Sequence, residues 1–349
     1  MAKQTKEILI DEKDIIGVLK KISRKIKGSI TQKWGEFYLN VDNEIAKGEI
    51  RAVYLESGIS LIIFDIIFFQ EVLLEIEVTY RNPLYFLYCL RGTVTHRRDK
   101  TASENQIDRY QNVIFASSCE TQNFVKFPLN KKLNINNIQI GRKEFSSRKL
   151  SQLKMLNAKL REVFLDIKEE DDFEYFGEIN LELADNIEKI INLKEEGVIR
   201  LLMLEGLVFY SLAQQIKFYN NDIEGIKLPY RLSNHELENI RETGHFIIKN
   251  YNMAYTVKNL SLKTGIDPKK LQTGFKYLFA KTVGEFIRDV KLEESCRLIR
   301  EAELSISEIV YKIGYNSRSY FSKIFKERYN LLPSEYALKT KKILKELED

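Results

Sequence analysis

Between Ile8 and Ile26 the apolar residues Ile15, Ile16, Leu19, Ile22 and Ile26 recur at helical spacing among Asp, Glu and Lys, which predicts one short packed helix. From Trp34 to Ile140 the period falls to two, as in Phe37, Leu39 and Val41, in Val72, Leu74, Ile76 and Val78, and in Leu84, Phe86, Tyr88 and Leu90. Breaks at Gly48, Gly58, Asn82-Pro83 and Gly92 divide this stretch into short strands, the pattern of a β-sandwich or barrel. Ile59 to Phe69 is almost continuously apolar and reads as a central strand; Asp65 inside it needs a partner if buried. Helical spacing returns at Leu153, Leu156, Leu160, Val163, Phe164 and Ile167. It breaks at Glu169-Glu170-Asp171-Asp172, a run without the glycine-centred pattern of a calcium loop, which reads as a solvated loop between two helices. Leu183, Ile187, Ile190 and Ile191 give one amphipathic helix, and Val198 to Ile216 another. The latter is apolar nearly all round, so it is expected to be buried on several sides. Either it is core within its own domain, or it shares a homodimer face with Leu150 to Ile167. Asn220-Asn221-Asp222, Gly225 and Pro229 mark a boundary. It separates a β-rich then helical part (1–219) from 233–349 through a linker (220–232).

The last third carries a repeated design. Ser305 and Glu308 form a capping box, Ile309 and Ile313 follow at helical spacing, and Gly314 stands where a helix ends. Asn316 or Ser317 can cap a second helix, in which Phe321 and Phe325 face inward while Arg318, Ser319, Ser322 and Lys323 point elsewhere. Upstream, Leu260, Lys263 and Gly265 repeat Ile309, Lys312 and Gly314. Asp267 and Pro268 then supply a cap and a first-turn proline, Leu271 and Phe275 match the two phenylalanines, and Lys269, Lys270, Gln272, Thr273 and Lys276 lie outward. Two helix-turn-helix units (256–279 and 306–329) are predicted, joined by a rigid helix opened by the box Thr282/Glu285.

These residues resemble the DNA-binding domain of the AraC/XylS family of bacterial transcription regulators from about Ser233 to Tyr336. The most specific matches are Ile306 to Pro333 with its ending Pro333-Ser334-Glu335-Tyr336, and Leu271-Gln272 to Phe275 followed by Phe279 and Thr282-Val283-Gly284-Glu285. Thr273 stands where many members carry arginine, Gly274 where an apolar residue is usual, and Asn330 where glycine often precedes the final turn. The resemblance implies an α+β chain: an N-terminal sensor, often a small cupin-like barrel holding an effector, followed by helices and an all-α DNA-binding domain. It also implies base reading by Lys269, Gln272 and Thr273 in one helix and by Arg318, Ser319, Ser322 and Lys323 in the other, with Lys270, Lys276 and Lys326 on phosphates. The run from Lys270 to Lys276 and the segment Leu87 to Gly92 look like the branch around the siderophore-responsive regulator PchR. A small effector such as an iron-siderophore is the implied ligand, double-stranded DNA the partner, and RNA polymerase a further one for an activator.

Charge sharpens this picture. The net charge of +5 hides an asymmetry: from Arg231 onward 22 Lys and Arg face 16 Asp and Glu, against 33 and 34 upstream. The basic excess falls on the DNA-reading part, as attraction to phosphates requires. Residues 249–281 hold seven Lys and one Asp. Cys89, Cys119 and Cys296 lack metal or redox spacing and read as reduced core residues, which suits a cytoplasmic protein. His96, beside Arg97 and Arg98, reads as an exposed turn residue, as do His235 and His245, and one histidine does not make a barrel metal site. The N-terminus lacks a signal-peptide core, and no uncharged apolar run approaches a membrane span. No nucleophile elbow, phosphate loop or dinucleotide fingerprint is present, so neither catalysis nor a cofactor is expected. The rival reading, a non-specific DNA-bending protein, leaves the upstream domain of more than 200 residues without a use.

Overall fold

The computed structural model describes residues 5–348 apart from 13, 78–82, 119–120, 169, 225–231, 280 and 302. The sequence expectations at Val78, Asn82, Cys119, Glu169, Gly225 and Pro229 lie outside the described residues. The chain divides into two compact units, Met1–Lys227 and Leu228–Asp349.

The first unit opens with β1 (Lys6–Ile10), α1 (Ile15–Ile26), β2 (Ser29–Lys33), β3 (Glu36–Asp42), β4 (Ala46–Tyr54), β5 (Ile59–Phe68) and β6 (Val72–Ile76). It continues with β7 (Leu84–Arg91), β8 (Val94–Arg97), β9 (Asn105–Ile107), β10 (Gln111–Ala116), β11 (Asn123–Phe127) and β12 (Lys132–Ile140). It closes with α2 (Arg142–Leu153), α3 (Ala158–Leu165), β13 (Phe173–Ile179), α4 (Leu181–Ile191) and α5 (Gly197–Ile223). One sheet has the order β1-β6-β11-β8-β9 and the other β13-β10-β7-β12-β5-β4-β3-β2. Their inner faces share a core that includes Phe64, Phe115, Phe127 and Ile135, closed at one end by Ile15, Leu19, Ile22 and Ile26 of α1.

The isoleucine-rich β5 lies between β12 and β4 and is covered on both faces, which is why its sequence is apolar rather than alternating. Asp65 escapes burial near the strand end, where Lys132 Nζ lies 2.7 Å from its carboxylate. Gly48 (φ +138°) lets β4 cross β5 at a point where a Cβ would stand 2.3 Å from the Asp65 carbonyl oxygen.

Four expectations are corrected. The predicted helix from Ile8 begins only at Ile15, where Asp14 accepts from the amides of Ile16 and Gly17 at 2.9 and 2.8 Å; Ile8 and Ile10 instead belong to β1, parallel to β6. Three alternating residues are too few to reveal a period of two. The single helix expected over Leu153–Ile167 is two, because Asn157 caps a new start by accepting from Lys159 N. The acidic run leads into β13 rather than a helix, and this strand pairs antiparallel with β10. His96 is no turn residue: it is 1% exposed on β8, its ring tilted against that of Phe115 with centroids 4.7 Å apart, and its Nε2 lies 3.0 Å from Asn123 Oδ1. Burial pulls its pKa below the ordinary histidine value.

Helix α5 departs from all-round burial. Leu204, Val208, Leu212 and Tyr219 are buried, whereas Ile199, Leu202, Met203 and Tyr210 are 42–64% exposed. By length and composition alone α5 could cross a membrane. Its inner face is polar at specific points, however. Arg200 pairs with the buried Glu36 and donates to the Leu193 carbonyl at 2.6 Å, and Ser211 meets Asn186 at 2.6 Å. Arg51 reaches the same Glu36 at 3.3 Å and the Ile190 carbonyl at 2.9 Å, so α4 and α5 are tied to β3 and β4. Cys89 and Cys296 are buried free thiols, and burial pushes Cys89 up to about 12.

The second unit is helical: α6 (Asn234–Lys249), α7 (Val257–Thr264), α8 (Pro268–Phe279), α9 (Val283–Glu301), α10 (Ile306–Lys312), α11 (Arg318–Tyr329) and α12 (Pro333–Glu348).

Candidate nucleic-acid interface

Each helix-turn-helix is built by local rules. In the second, the Ser305 amide donates to Glu308 Oε2 at 2.8 Å and the Glu308 amide to Ser305 Oγ at 3.3 Å, which starts α10 and holds the Glu308 carboxyl below its usual range. The turn needs Gly314 twice over: its φ is +76°, and a Cβ would lie 2.1 Å from the Asn252 carbonyl oxygen. Ser317, not Asn316, caps α11 by accepting from Tyr320 N at 3.2 Å. Phe321, Ile324 and Phe325 then fix the inner face. This leaves Arg318, Ser319, Lys323 and Lys326 exposed and Ser322 half-buried on the other side. Asn330 ends α11 in the left-handed conformation (φ +56°), a place where asparagine can substitute for glycine.

In the first unit of the pair Thr256 caps α7, Gly265 ends it at φ +70°, and Asp267 accepts from Lys269 N at 2.8 Å to open α8. Leu271, Gly274 and Phe275 are buried. Lys269 and Lys276 are exposed and Thr273 half-buried. Spacing of three to four residues places Lys269, Gln272, Thr273 and Lys276 on one helix face. Two of the sequence candidates have partners inside the unit. Lys270 Nζ lies 2.7 Å from Glu236, which with the Ser233 cap lowers that carboxyl. Gln272 Oε1 accepts from the Val283 amide at 3.1 Å and so caps the linker helix α9, leaving the Gln272 amide nitrogen for other partners.

Sequence reasoning missed two residues. Tyr320, exposed beside Ser319 and edge-on to Tyr315 at 5.7 Å, adds an aromatic donor to the outer face of α11; an aromatic at an outward helical position was the available signal. Lys291, in the middle of α9 and buried, donates through Nζ to the Ile313 carbonyl at 2.7 Å and lies 5.0 Å from the Tyr315 ring. It neutralises the carboxyl end of α10, and burial lowers its own pKa. Nothing in the linker sequence distinguishes it from a surface lysine.

Residues 260–339 match the model of a helix-turn-helix domain family, and residues 47–220 match the regulatory protein PchR N-terminal domain. The chain belongs to the AraC/XylS family of transcription regulators. Among curated proteins it is similar to the probable transcription factor PqrA of Proteus vulgaris, 29% identical over 85 residues that cover 24% of this chain and 70% of PqrA. The xylose operon regulatory protein of Escherichia coli K12 is 33% identical over 92 residues, covering 26% of this chain and 24% of that protein. A histidine kinase of Formosa agariphila is 33% identical over 85 residues, 24% of this chain and 6% of the kinase. The chain thus spans well under two thirds of the length of most of these relatives. Among solved structures, ToxT of Vibrio cholerae covers 77% of this chain and 97% of its own at 13% identity and a TM-score of 0.30.

Proposed function

We propose that this chain is an effector-responsive, sequence-specific DNA-binding regulator whose two outward helices read successive major-groove segments. The carrying observation is the repetition of one local design with outward polar faces on α8 and α11, joined by a 19-residue helix. That helix is ~28 Å long at 1.5 Å per residue, near the ~34 Å that separates adjacent grooves on one DNA face. Base contacts are assigned to Lys269, Gln272 and Thr273 and to Arg318, Ser319, Ser322 and Lys323; Lys276 and Lys326 suit phosphates. Lys270 serves first to hold α8 on α6. Residues 233–349 act as the DNA-reading domain and 1–219 as the sensor, an effector occupying the core between the two sheets. The exposed apolar stripe of α5 suits a second copy of the chain, because identical uncharged faces can pair across a two-fold axis. An activating role would add contact with RNA polymerase.

Selection of sites from random DNA with the full chain and with Gln272→Ala, Arg318→Ala and Lys323→Ala tests this. The expected outcome is altered preference in one half of the site for the first variant and in the other half for the remaining two, by roughly 1–3 kcal/mol per lost base contact. Altered preference at the same few base pairs in all three would refute reading by two helices.

A further inference from the structure

The two helix-turn-helix turns are fastened in different ways. Ahead of α8 the ties come from within α7: Ser261 Oγ donates to the Ile266 carbonyl at 2.5 Å and Thr264 Oγ1 to the Leu260 carbonyl at 2.9 Å. Ahead of α11 the tie comes from another helix. Lys291 is 4% exposed in the middle of α9, and its Nζ donates to the Ile313 carbonyl at 2.7 Å and to the Gly314 carbonyl at 3.4 Å. Burial lowers its pKa, with no carboxylate at ion-pair distance among the described residues. Burying an ammonium is costly, and a position that served packing alone would carry leucine or methionine. The cation therefore acts on the turn, whose carbonyls form the negative end of α10.

An aromatic pair continues this contact toward the outer face of α11. Lys291 Nζ lies 5.0 Å from the centre of the Tyr315 ring, which stands edge-on to Tyr320 at 5.7 Å and lies 6.4 Å from the core ring of Phe321. Tyr320 is 49% exposed in the first turn of α11, the part of a recognition helix that meets base edges. Its amide is bound by the Ser317 cap at 3.2 Å, so a rotation of the turn would move its ring. Resting on the reading by two helices above, we propose that Lys291 is a positioning residue for DNA discrimination by α11: it holds the turn and Tyr315, and through them presents Tyr320 as a further DNA-contacting side chain beside Arg318 and Ser319. Buried behind the turn, Lys291 itself meets no phosphate.

The experiment measures binding of the full chain to the site it selects from random DNA, with the base pairs of that site substituted one at a time. Lys291→Met keeps the length of the side chain and removes the ammonium. It should lower discrimination about three- to tenfold at the base pairs that Arg318→Ala also affects, and leave unchanged those affected by Gln272→Ala. The salt dependence of binding should keep its slope, which loss of a phosphate contact would reduce by about one. Tyr320→Ala should produce the same loss, and Lys291→Met combined with Tyr320→Ala little more than either alone. If circular dichroism shows that Lys291→Met does not fold, Tyr315→Leu, which leaves the lysine bonds in place, should give the same loss in the same half of the site. Fully additive losses in the double variant, or a reduced salt slope, would overturn the proposal. Unaltered preference in Lys291→Met and Tyr315→Leu beside a clear response to Arg318→Ala would overturn it and leave reading by two helices intact. Gln272→Ala and Arg318→Ala acting on the same base pairs would instead sink that reading, whereas non-additivity of Lys291→Met and Tyr320→Ala would still support the positioning role.

Discussion

Gly274 sits inside α8, where alanine would be favoured by about 1 kcal/mol on helix propensity alone. Packing argues the other way. A Cβ at this position would lie 2.3 Å from Ile240 Cδ1 and 3.3 Å from Ile240 Cγ2, and Ile240 is fully buried on α6. Close approach of the two helices recurs further along, where a Cβ on Gly244 of α6 would stand 2.5 Å from Phe279. Overpacking in a filled core costs about 1–3 kcal/mol, so Gly274→Ala should destabilise the second unit by a net of about 1 kcal/mol. Ile240→Val deletes the clashing Cδ1 and costs about 0.5–1.5 kcal/mol by itself. Combined, the alanine methyl occupies the space vacated by Cδ1, so the double variant should be more stable than the sum of the singles by about 1–2 kcal/mol. Amide hydrogen exchange of α8 peptides in the full chain measures all three. A stabilised Gly274→Ala protein, or strictly additive effects, would mean that propensity rather than helix approach governs the position.

Other tests address other parts of the molecule. Because burial lowers the folded-state pKa of His96, the unfolded chain takes up protons first; stability is complete above about pH 6.5 and is lost as pH falls toward the lowered folded value. Trp34 is the single tryptophan, so its fluorescence in urea at stepped pH reports this loss, which His96→Gln should remove; the raised carboxyl of Glu174, 3.8 Å away, works in the opposite sense at lower pH. Gln272→Glu should keep the α9 cap while Gln272→Ala loses about 1 kcal/mol of stability, as thermal melts would read. Lys276→Ala should weaken binding to every sequence alike and reduce the salt slope by about one, whereas Arg318→Ala should act through sequence preference, as titrations at several salt concentrations on specific and random DNA distinguish. If the exposed stripe of α5 pairs two copies as proposed, the full chain should sediment as a dimer and Leu202→Glu as a monomer without a lower Tm; a full chain that sediments as a monomer would refute the pairing.

The architecture was legible wherever a pattern was long enough to average out local exceptions. Strands such as β5 and β7, the caps at Ser305 and Thr282, and the left-handed glycines Gly265 and Gly314 announce themselves because each obeys a rule of a few residues. What stayed hidden was decided at long range. β13 exists because Tyr175 and Phe176 find β10 across more than 50 residues of chain, and its acidic approach concealed it. His96 is buried because β8 runs beneath β10 and β13, while its neighbours Arg97 and Arg98 made the segment look wet. The mixed fate of α5 could not be read from composition, since an apolar residue facing solvent and one facing α4 are written identically.

The candidate reading faces show the same limit in a form that bears on function. Helical spacing told which side chains turn away from Leu271 and Phe275 or from Phe321 and Phe325, but not which of the outward groups were already engaged. On α8 Lys270 is committed to Glu236 and Gln272 offers its oxygen to the start of α9, so two of the five polar candidates stabilise the unit before any DNA arrives. Among the described residues the candidates on α11 have no such partners, and the turn ahead of them is held from behind by Lys291, which donates to the Ile313 carbonyl, and packs closely on the Asn252 carbonyl. Ordering a free arginine or lysine on DNA costs side-chain entropy but breaks no existing bond, whereas recruiting Lys270 breaks an ion pair. On this reading the second helix supplies most of the base discrimination. The first, fixed through the same side chains that cap and anchor it, chiefly sets the register in which the second is presented.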